Sequence, residues 1–237
     1  MIRTFLAVVL TAFAACSSMA GIAVGNTRII YPADAQSVNV SLNNLVKKPA
    51  LAQVWIDNGD ASKIPSANEI PFLVTPPVSR LAPEAEQIVR VIMKPNFKLA
   101  QDRESLYWFN MLDIPPIAKE NQDKNQLQLS VRSRLKLFYR PSTLNMSQKQ
   151  AFTALAFHKV LNTKKIEIDN PTPYYITLNK LEFKGSSLSV HYAVDTMLAP
   201  YSKQNIELDK ANSALNKVKY EVINDLGGYV EFDTVVN

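Results

Sequence analysis

Few side chains in this sequence can make or break bonds. There are two histidines, His158 and His191, and one cysteine, Cys16. His158 lies in an apolar stretch and His191 alternates with Val190 and Tyr192, so each reads as a structural or surface residue on a strand, not as a general acid or base. No GxSxG, HExxH or glycine-rich phosphate loop occurs, and the acidic residues do not follow a metal-loop spacing. Hydrolytic, phosphoryl and metal chemistry lack residues to carry them, so no enzyme activity, cofactor or metal is expected. The sequons Asn39-Val40-Ser41 and Asn145-Met146-Ser147 arise as easily by chance as by purpose. Three cations are less ordinary: Arg28 in the middle of an apolar first strand, Lys136 late in a long strand, and Arg140 next to Pro141. Taken singly, each reads as a solvated charge on a strand face.

The element that carries two of these cations is unusual. From Leu127 to Tyr139 the odd positions read Leu, Leu, Val, Ser, Leu, Leu, Tyr, and the even positions are mostly Gln, Ser, Arg and Lys. That period of two predicts a β-strand with one apolar face. At roughly 3.3 Å per residue, a strand of about thirteen residues would span more than 40 Å, about twice the common length. The surplus apolar edge needs a purpose.

The rest of the chain has all-β texture. Glycine is scarce (6) and proline plentiful (14), with β-branched and aromatic bursts between turn residues. Strands are expected at 22–31, 38–42, 51–56, 72–74, 89–93, 106–112 and the long run. A proline-rich, irregular stretch is expected over 65–83, and a short polar connection over Ile117–Asn125. After Pro141-Ser142-Thr143, which reads as a linker, a second set follows at 155–161, 165–169, 174–183, 187–194, 205–208, 218–223 and 229–235. The stretch from Met146 to Ala154 is either a helical turn or a loop. Two β-sandwiches follow from this spacing.

The first residues stand apart. Arg3, the apolar run Phe5–Ala15 and Ser18-Met19-Ala20 read as a secretory signal peptide, too short to span a bilayer. Cleavage is placed after Ala20. A competing reading uses Phe13-Ala14-Ala15-Cys16 as a lipoprotein signal, although Phe fits its first position poorly. Cleavage after Ala20 leaves no cysteine, which excludes disulfides and thiol chemistry. It also lowers the formal charge of +5 by the one charge of Arg3. That mild excess does not argue for nucleic acid, and no second apolar segment is long enough for membrane insertion. The expected division is 1–20 signal peptide, 21–142 first domain and 143–237 second domain.

The stretch Leu99-Ala100-Gln101-Asp102-Arg103-Glu104-Ser105-Leu106-Tyr107-Trp108-Phe109-Asn110-Met111-Leu112-Asp113-Ile114-Pro115 resembles the signature of the Gram-negative periplasmic pilus chaperones. Leu137-Phe138-Tyr139-Arg140-Pro141, Val74-Thr75-Pro76-Pro77, Ala52-Gln53-Val54-Trp55-Ile56 and Asn170-Pro171-Thr172-Pro173-Tyr174-Tyr175 are family-like as well. The resemblance covers essentially the whole mature chain.

It implies an all-β fold of two immunoglobulin-like domains in an L or boomerang arrangement. It also implies a periplasmic chaperone that lends a strand to pilus subunits (donor-strand complementation, a form of β-augmentation) and delivers them to an outer-membrane usher. On this resemblance Arg28 and Lys136 would bind the subunit's C-terminal carboxylate. Leu127, Leu129 and Val131 would fill the subunit's groove, and Glu104, Arg140 and Asp225 would form an interdomain salt bridge. The short Ile117–Asn125 connection resembles the branch that serves rod-like pili. Self-association when free is a further possibility. The alternative class is a structural or adhesive subunit of a surface fibre. Such a subunit would carry its own N-terminal donor extension and often a disulfide, whereas here the mature chain enters a strand at once.

Overall fold

The computed structural model describes residues 21–66, 68–95, 97–116, 127–185, 189–208 and 215–237, with the side chains of 189–195 outside that description. The leader with Cys16, the Ile117–Asn125 connection and the His191 side chain therefore lie outside the described residues. The described elements are almost entirely strands, arranged as two β-sandwiches, each around its own core.

In the first sandwich, one sheet takes the order β1-β3-β7-β5 and comprises Ile22–Val24 (β1), Val38–Asn44 (β3), Glu86–Met93 (β7) and Phe72–Thr75 (β5). The other takes the order β2-β9-β8-β4-β6. It comprises Arg28–Pro32 (β2), Val131–Arg140 (β9), Ser105–Ile114 (β8), Ala50–Asp57 (β4) and Val78–Leu81 (β6). Val40, Leu42, Val89 and Val91 from the first sheet meet Phe109, Met111 and Leu137 from the second, all fully buried. Each belongs to the apolar parity of its strand, as period-two patterning requires.

Three expectations need correction. The single strand expected over 22–31 is two strands in opposite sheets, broken at Gly25-Asn26-Thr27. At that crossing Gly25 runs close against β3: its N–H donates to Ser41 O at 2.9 Å, and a Cβ there would lie a tight 3.2 Å from Ser41 Cβ. Arg28 consequently opens β2 instead of sitting mid-strand. The proline-rich stretch is less irregular than expected, because Val78–Leu81 pairs with β4 at the sheet edge, where proline-flanked strands are tolerated. The long strand is shorter than its pattern: β9 runs from Val131 to Arg140, and Leu127–Ser130 precede it outside any ladder. The cause lies in the partner strand. β8 ends at Ile114, just before Pro115-Pro116, and the last pair across the two strands is Asp113 with Val131, so residues 127–130 have no ladder partner among the described residues.

The second sandwich pairs a three-stranded sheet, order β10-β11-β14, with a four-stranded one, order β13-β12-β15-β16. These are Ala156–Lys159 (β10), Lys165–Asn170 (β11), Ile176–Gly185 (β12), Ser189–Leu198 (β13), Ser202–Glu207 (β14), Leu215–Ile223 (β15) and Tyr229–Val235 (β16). Phe157, Phe183 and Tyr220 form its aromatic centre, at ring separations of 6.3 and 5.3 Å. His158 lies on β10 opposite Glu167. The 146–154 stretch contains a short helix, Gln148–Thr153 (α1), opened by a capping box between Ser147 and Gln150.

Candidate functional site

β9 has a different neighbour on each side. On one side β8 accompanies it from Val131 to Tyr139. On the other, β2 runs parallel to it, but only from Lys136 to Arg140, beginning with Arg28 directly opposite Lys136. From Val131 to Leu135 that second edge has no partner among the described residues. Unpaired N–H and C=O groups along a strand edge are a template for another chain.

The apolar row crosses this boundary without changing parity. Leu137 and Tyr139 are buried in the first core, and Leu135 is buried at its margin, at 8% exposure. Val131, Leu129 and Leu127 are 55%, 70% and 85% exposed, rising with distance from it. The inner half of the row thus folds the domain, and the outer half offers apolar side chains to solvent.

The two cations sit where the open edge begins. Arg28 is 9% exposed. Its NH1 donates to the Ile223 carbonyl of the second sandwich at 2.9 Å, while its Nε is buried without a hydrogen-bond partner. Burial lowers the pKa of this guanidinium, and the fields of Asp225 and Glu104 only partly offset that. Lys136 Nζ donates to Thr177 Oγ1 on β12 at 3.3 Å. A carboxylate is the ligand such a pair suits, because charge-assisted hydrogen bonds to it would satisfy the Arg28 donor.

A third group joins the two sandwiches. Arg140 Nε donates to Glu104 Oε1 at 2.7 Å, and its two terminal nitrogens donate to the Asp225 carboxylate at 2.6 and 3.0 Å. Glu104 Oε2 accepts from the Tyr175 amide at 2.8 Å, and the Glu104 amide donates to Pro173 O at 2.9 Å. The Arg140 guanidinium also lies over the Tyr174 ring at 5.1 Å. Burial raises the Glu104 carboxyl despite Arg140 beside it. For Arg140, burial alone would act downward, but its two carboxylate partners prevail and push it further up. Asp225 is positioned by a tight β15–β16 turn: Asn224 Oδ1 accepts from the Leu226 and Gly228 amides, and Gly227 takes φ +82°.

Sequence reasoning missed a second cation cluster on the polar parity of β9. Arg134 donates to both oxygens of Asp57, at 2.6 and 3.2 Å. Arg132 donates to Asn110 Oδ1 at 2.9 and 2.6 Å and to Ala61 O at 2.6 Å. Their guanidinium groups lie over Trp108 and Trp55 at 4.1 and 4.9 Å. Asp57 is fully buried. Burial would raise its carboxyl, but hydrogen bonds from Arg134, Asn110 and the Gly59 amide outweigh that and hold it below the ordinary range. The cluster ties the unsupported end of β9 to β4 and the turn after it. Its signal is present as arginines at i and i+2 sharing a face with two tryptophans one and two strands away, but Asp57 reads in sequence as a turn residue.

Two family models match the chain. One, described as the pili and flagellar-assembly chaperone PapD N-terminal domain, covers residues 21–145; the other, the pili assembly chaperone PapD C-terminal domain, covers 150–234. A probable fimbrial chaperone of Escherichia coli K12, YadV, is 39% identical over 91% of this chain and 89% of its own. Its crystal structure superposes with a TM-score of 0.76, covering 91% of this chain and all of that one. Chaperone protein MrkB of Klebsiella pneumoniae is 38% identical over 91% of both chains. The Salmonella enterica chaperone SafB, solved in complex with the SafA pilin, gives a TM-score of 0.73 at 25% identity, covering 92% of this chain and 98% of that one. With both domains matched in order, this chain belongs to the PapD-like family of fimbrial assembly chaperones, whose members are not enzymes.

Proposed function

We propose that this protein is a periplasmic chaperone that completes pilus subunits with its own β9 edge and passes them to an outer-membrane usher. The observation that carries this reading is the apolar row that leaves the core at Leu135 and continues, exposed, through Val131, Leu129 and Leu127. A subunit strand that pairs with the open edge of β9 lies in line with β2 and ends against Arg28 and Lys136. Polarity follows from charge. A strand parallel to β9 brings its C-terminal carboxylate to the two cations, whereas an antiparallel one brings a cationic N-terminus, which they repel. The anchored carboxylate then sets the register, and a slip of one residue would turn the leucines away from the subunit's groove. No nucleotide or cofactor enters this scheme. Glu104, Arg140 and Asp225 hold the two domains, 21–142 and 143–237, so that both cations stay in the cleft. Export uses the leader, removed after Ala20, and the mature chain acts in the periplasm.

The test is co-expression of the cognate subunit with Arg28→Ala or Lys136→Ala chaperone. Both variants are expected to fold and to yield little or no soluble periplasmic complex. Undiminished complex with either would remove that residue from the anchor.

A further inference from the structure

Asp113 occupies a place where a carboxylate is costly. Phe109, Met111 and Asp113 alternate along β8, so all three face the sandwich interior, at 0%, 0% and 7% exposure. Asp113 Oδ2 accepts from the Ile22 amide at 3.0 Å, bonding β8 to β1 of the opposite sheet. Its Oδ1 is buried without a hydrogen-bond partner, and no cation pairs with the group among the described residues. A buried carboxylate without a countercharge is strongly disfavoured.

Gly21 lies against this group. A Cβ on it would fall 2.3 Å from Asp113 Oδ2 and 3.6 Å from Oδ1. Any other residue would push the carboxylate away from the Ile22 amide. The Gly21 carbonyl is fixed in turn, accepting from the Leu45 amide at 2.8 Å. The backbone at residue 21 is therefore held against the Asp113 carboxylate.

We propose that Asp113 is the receptor for the Gly21 α-ammonium group created by leader removal, so that processing supplies the buried countercharge that completes the first domain. The proposal rests on the reading that cleavage follows Ala20. In that hydrolysis one water adds across the Ala20–Gly21 peptide bond. Ala20 keeps the acyl carbon and leaves as a carboxylate, and the Gly21 nitrogen takes up the protons and becomes an ammonium. Before cleavage the same nitrogen is a neutral amide, and Asp113 has the Ile22 amide as a donor but no countercharge among the described residues. After cleavage an ion pair closes the end of the sandwich, beside the point where β9 loses its ladder. The chain tethered by its leader is thus held less stable than the released one, and release itself locks the fold.

The test exports the full chain with its own leader and reads the mature N-terminus by intact mass. Four forms are compared: wild type, a form with one Ser inserted between Ala20 and Gly21, and Asp113→Asn with and without that insertion. α-Amine acylation at pH 7 is followed by mass spectrometry of the N-terminal peptide, and stability by urea unfolding. Wild type is expected to start at Gly21 and to acylate at least tenfold more slowly than the Ser-inserted form or Asp113→Asn, because pairing holds the amine protonated. The insertion is expected to raise the unfolding constant at least tenfold with Asp113 present and less than twofold in the Asp113→Asn background. Equal acylation in wild type and the Ser-inserted form, a comparison that needs no change at Asp113, overturns the pairing, as does an insertion cost that is the same in both backgrounds. A mature chain that starts elsewhere overturns the cleavage reading and the proposal with it; a start at Gly21 with equal rates overturns only the role of Asp113.

Discussion

Leu129 offers a measurement in which folding and binding separate cleanly. It is 70% exposed and precedes the first ladder pair of β9, so its truncation leaves the free chaperone almost unaffected. Full burial of a leucine side chain contributes about 1.5–3 kcal/mol, and with 70% of the residue still exposed, about 1–2 kcal/mol of that remains to be gained on binding. Leu129→Ala should therefore weaken subunit binding by about five- to thirtyfold. Leu129→Glu should abolish it, because a carboxylate would enter an apolar groove without a partner. The same row supplies the control. Leu135 is 8% exposed, and Leu135→Ala should cost the chaperone itself about 2–5 kcal/mol. The assay pairs a competition measurement, in which variant and wild-type chaperones compete for one co-expressed subunit, with urea unfolding of each free chaperone. Full affinity in Leu129→Glu, or a loss of stability at Leu129 comparable to that at Leu135, would refute the division of the row into a folding half and a binding half.

Two further outcomes follow from the buried ion pairs. Asp57 has its carboxyl lowered by its hydrogen-bonded partners, so the unfolded chain binds its proton more readily. Its contribution is fully present above the unfolded value of about 4 and is lost as pH falls through the lower folded value; wild type and Asp57→Asn should accordingly differ in stability at pH 6 and converge toward pH 2, and a constant difference in urea titrations across that range would contradict it. Arg140→Ala leaves Glu104, 3% exposed, without its cation and should cost about 3–5 kcal/mol, with Arg140→Lys recovering only part because one ammonium cannot replace a guanidinium shared between two carboxylates; a loss under about 0.5 kcal/mol in equilibrium unfolding would show that the junction does not depend on the pair.

What the sequence disclosed, and what it withheld, divides along a physical line. Period-two patterning is local, so strands with one inward face, such as Val38–Asn44 with its buried alternate residues and Tyr229–Val235 with its half-buried ones, were legible to within a residue or two. Which sheet a strand joins is not local. The chain from Ile22 to Pro32 reads as one apolar run, yet at Gly25-Asn26-Thr27 it passes from one sheet into the other. Ladder length is not local either: among the described residues, Leu127–Ser130 carry the pattern of β9 but not its ladder, whose last pair with β8 is Asp113 with Val131. Site residues follow the same division. The resemblance named Arg28, Lys136, Glu104, Arg140 and Asp225 by motif. The parallel pairing that puts Arg28 beside Lys136 and the approach of Ile223 and Thr177 from the second sandwich required coordinates. The Asp57 cluster stayed hidden because its buried anion and its two arginines are about 75 residues apart in sequence, which no motif bridges.

The shortfall between the apolar pattern and the strand is itself informative. Among the described residues, Leu127 and Leu129 belong to neither core and are largely exposed, so this part of the row adds little to the described fold. Left alone, such an edge would invite association with any exposed strand. Two features of this chain narrow that choice. The cations at the inner end of the edge favour a strand that finishes there with a free carboxylate. The Arg132–Asp57–Arg134 cluster occupies the opposite parity of the same strand with charge and ordered hydrogen bonds, so only one face of β9 presents leucine and valine. On the function proposed above, an incoming strand must satisfy three conditions together: parallel direction, an end at Lys136, and an apolar groove that accepts side chains at every second residue. Few chains other than an incomplete sandwich with its carboxyl terminus on its last strand meet all three, and that combination, more than the exposed area alone, separates a specific chaperone edge from an aggregation-prone one.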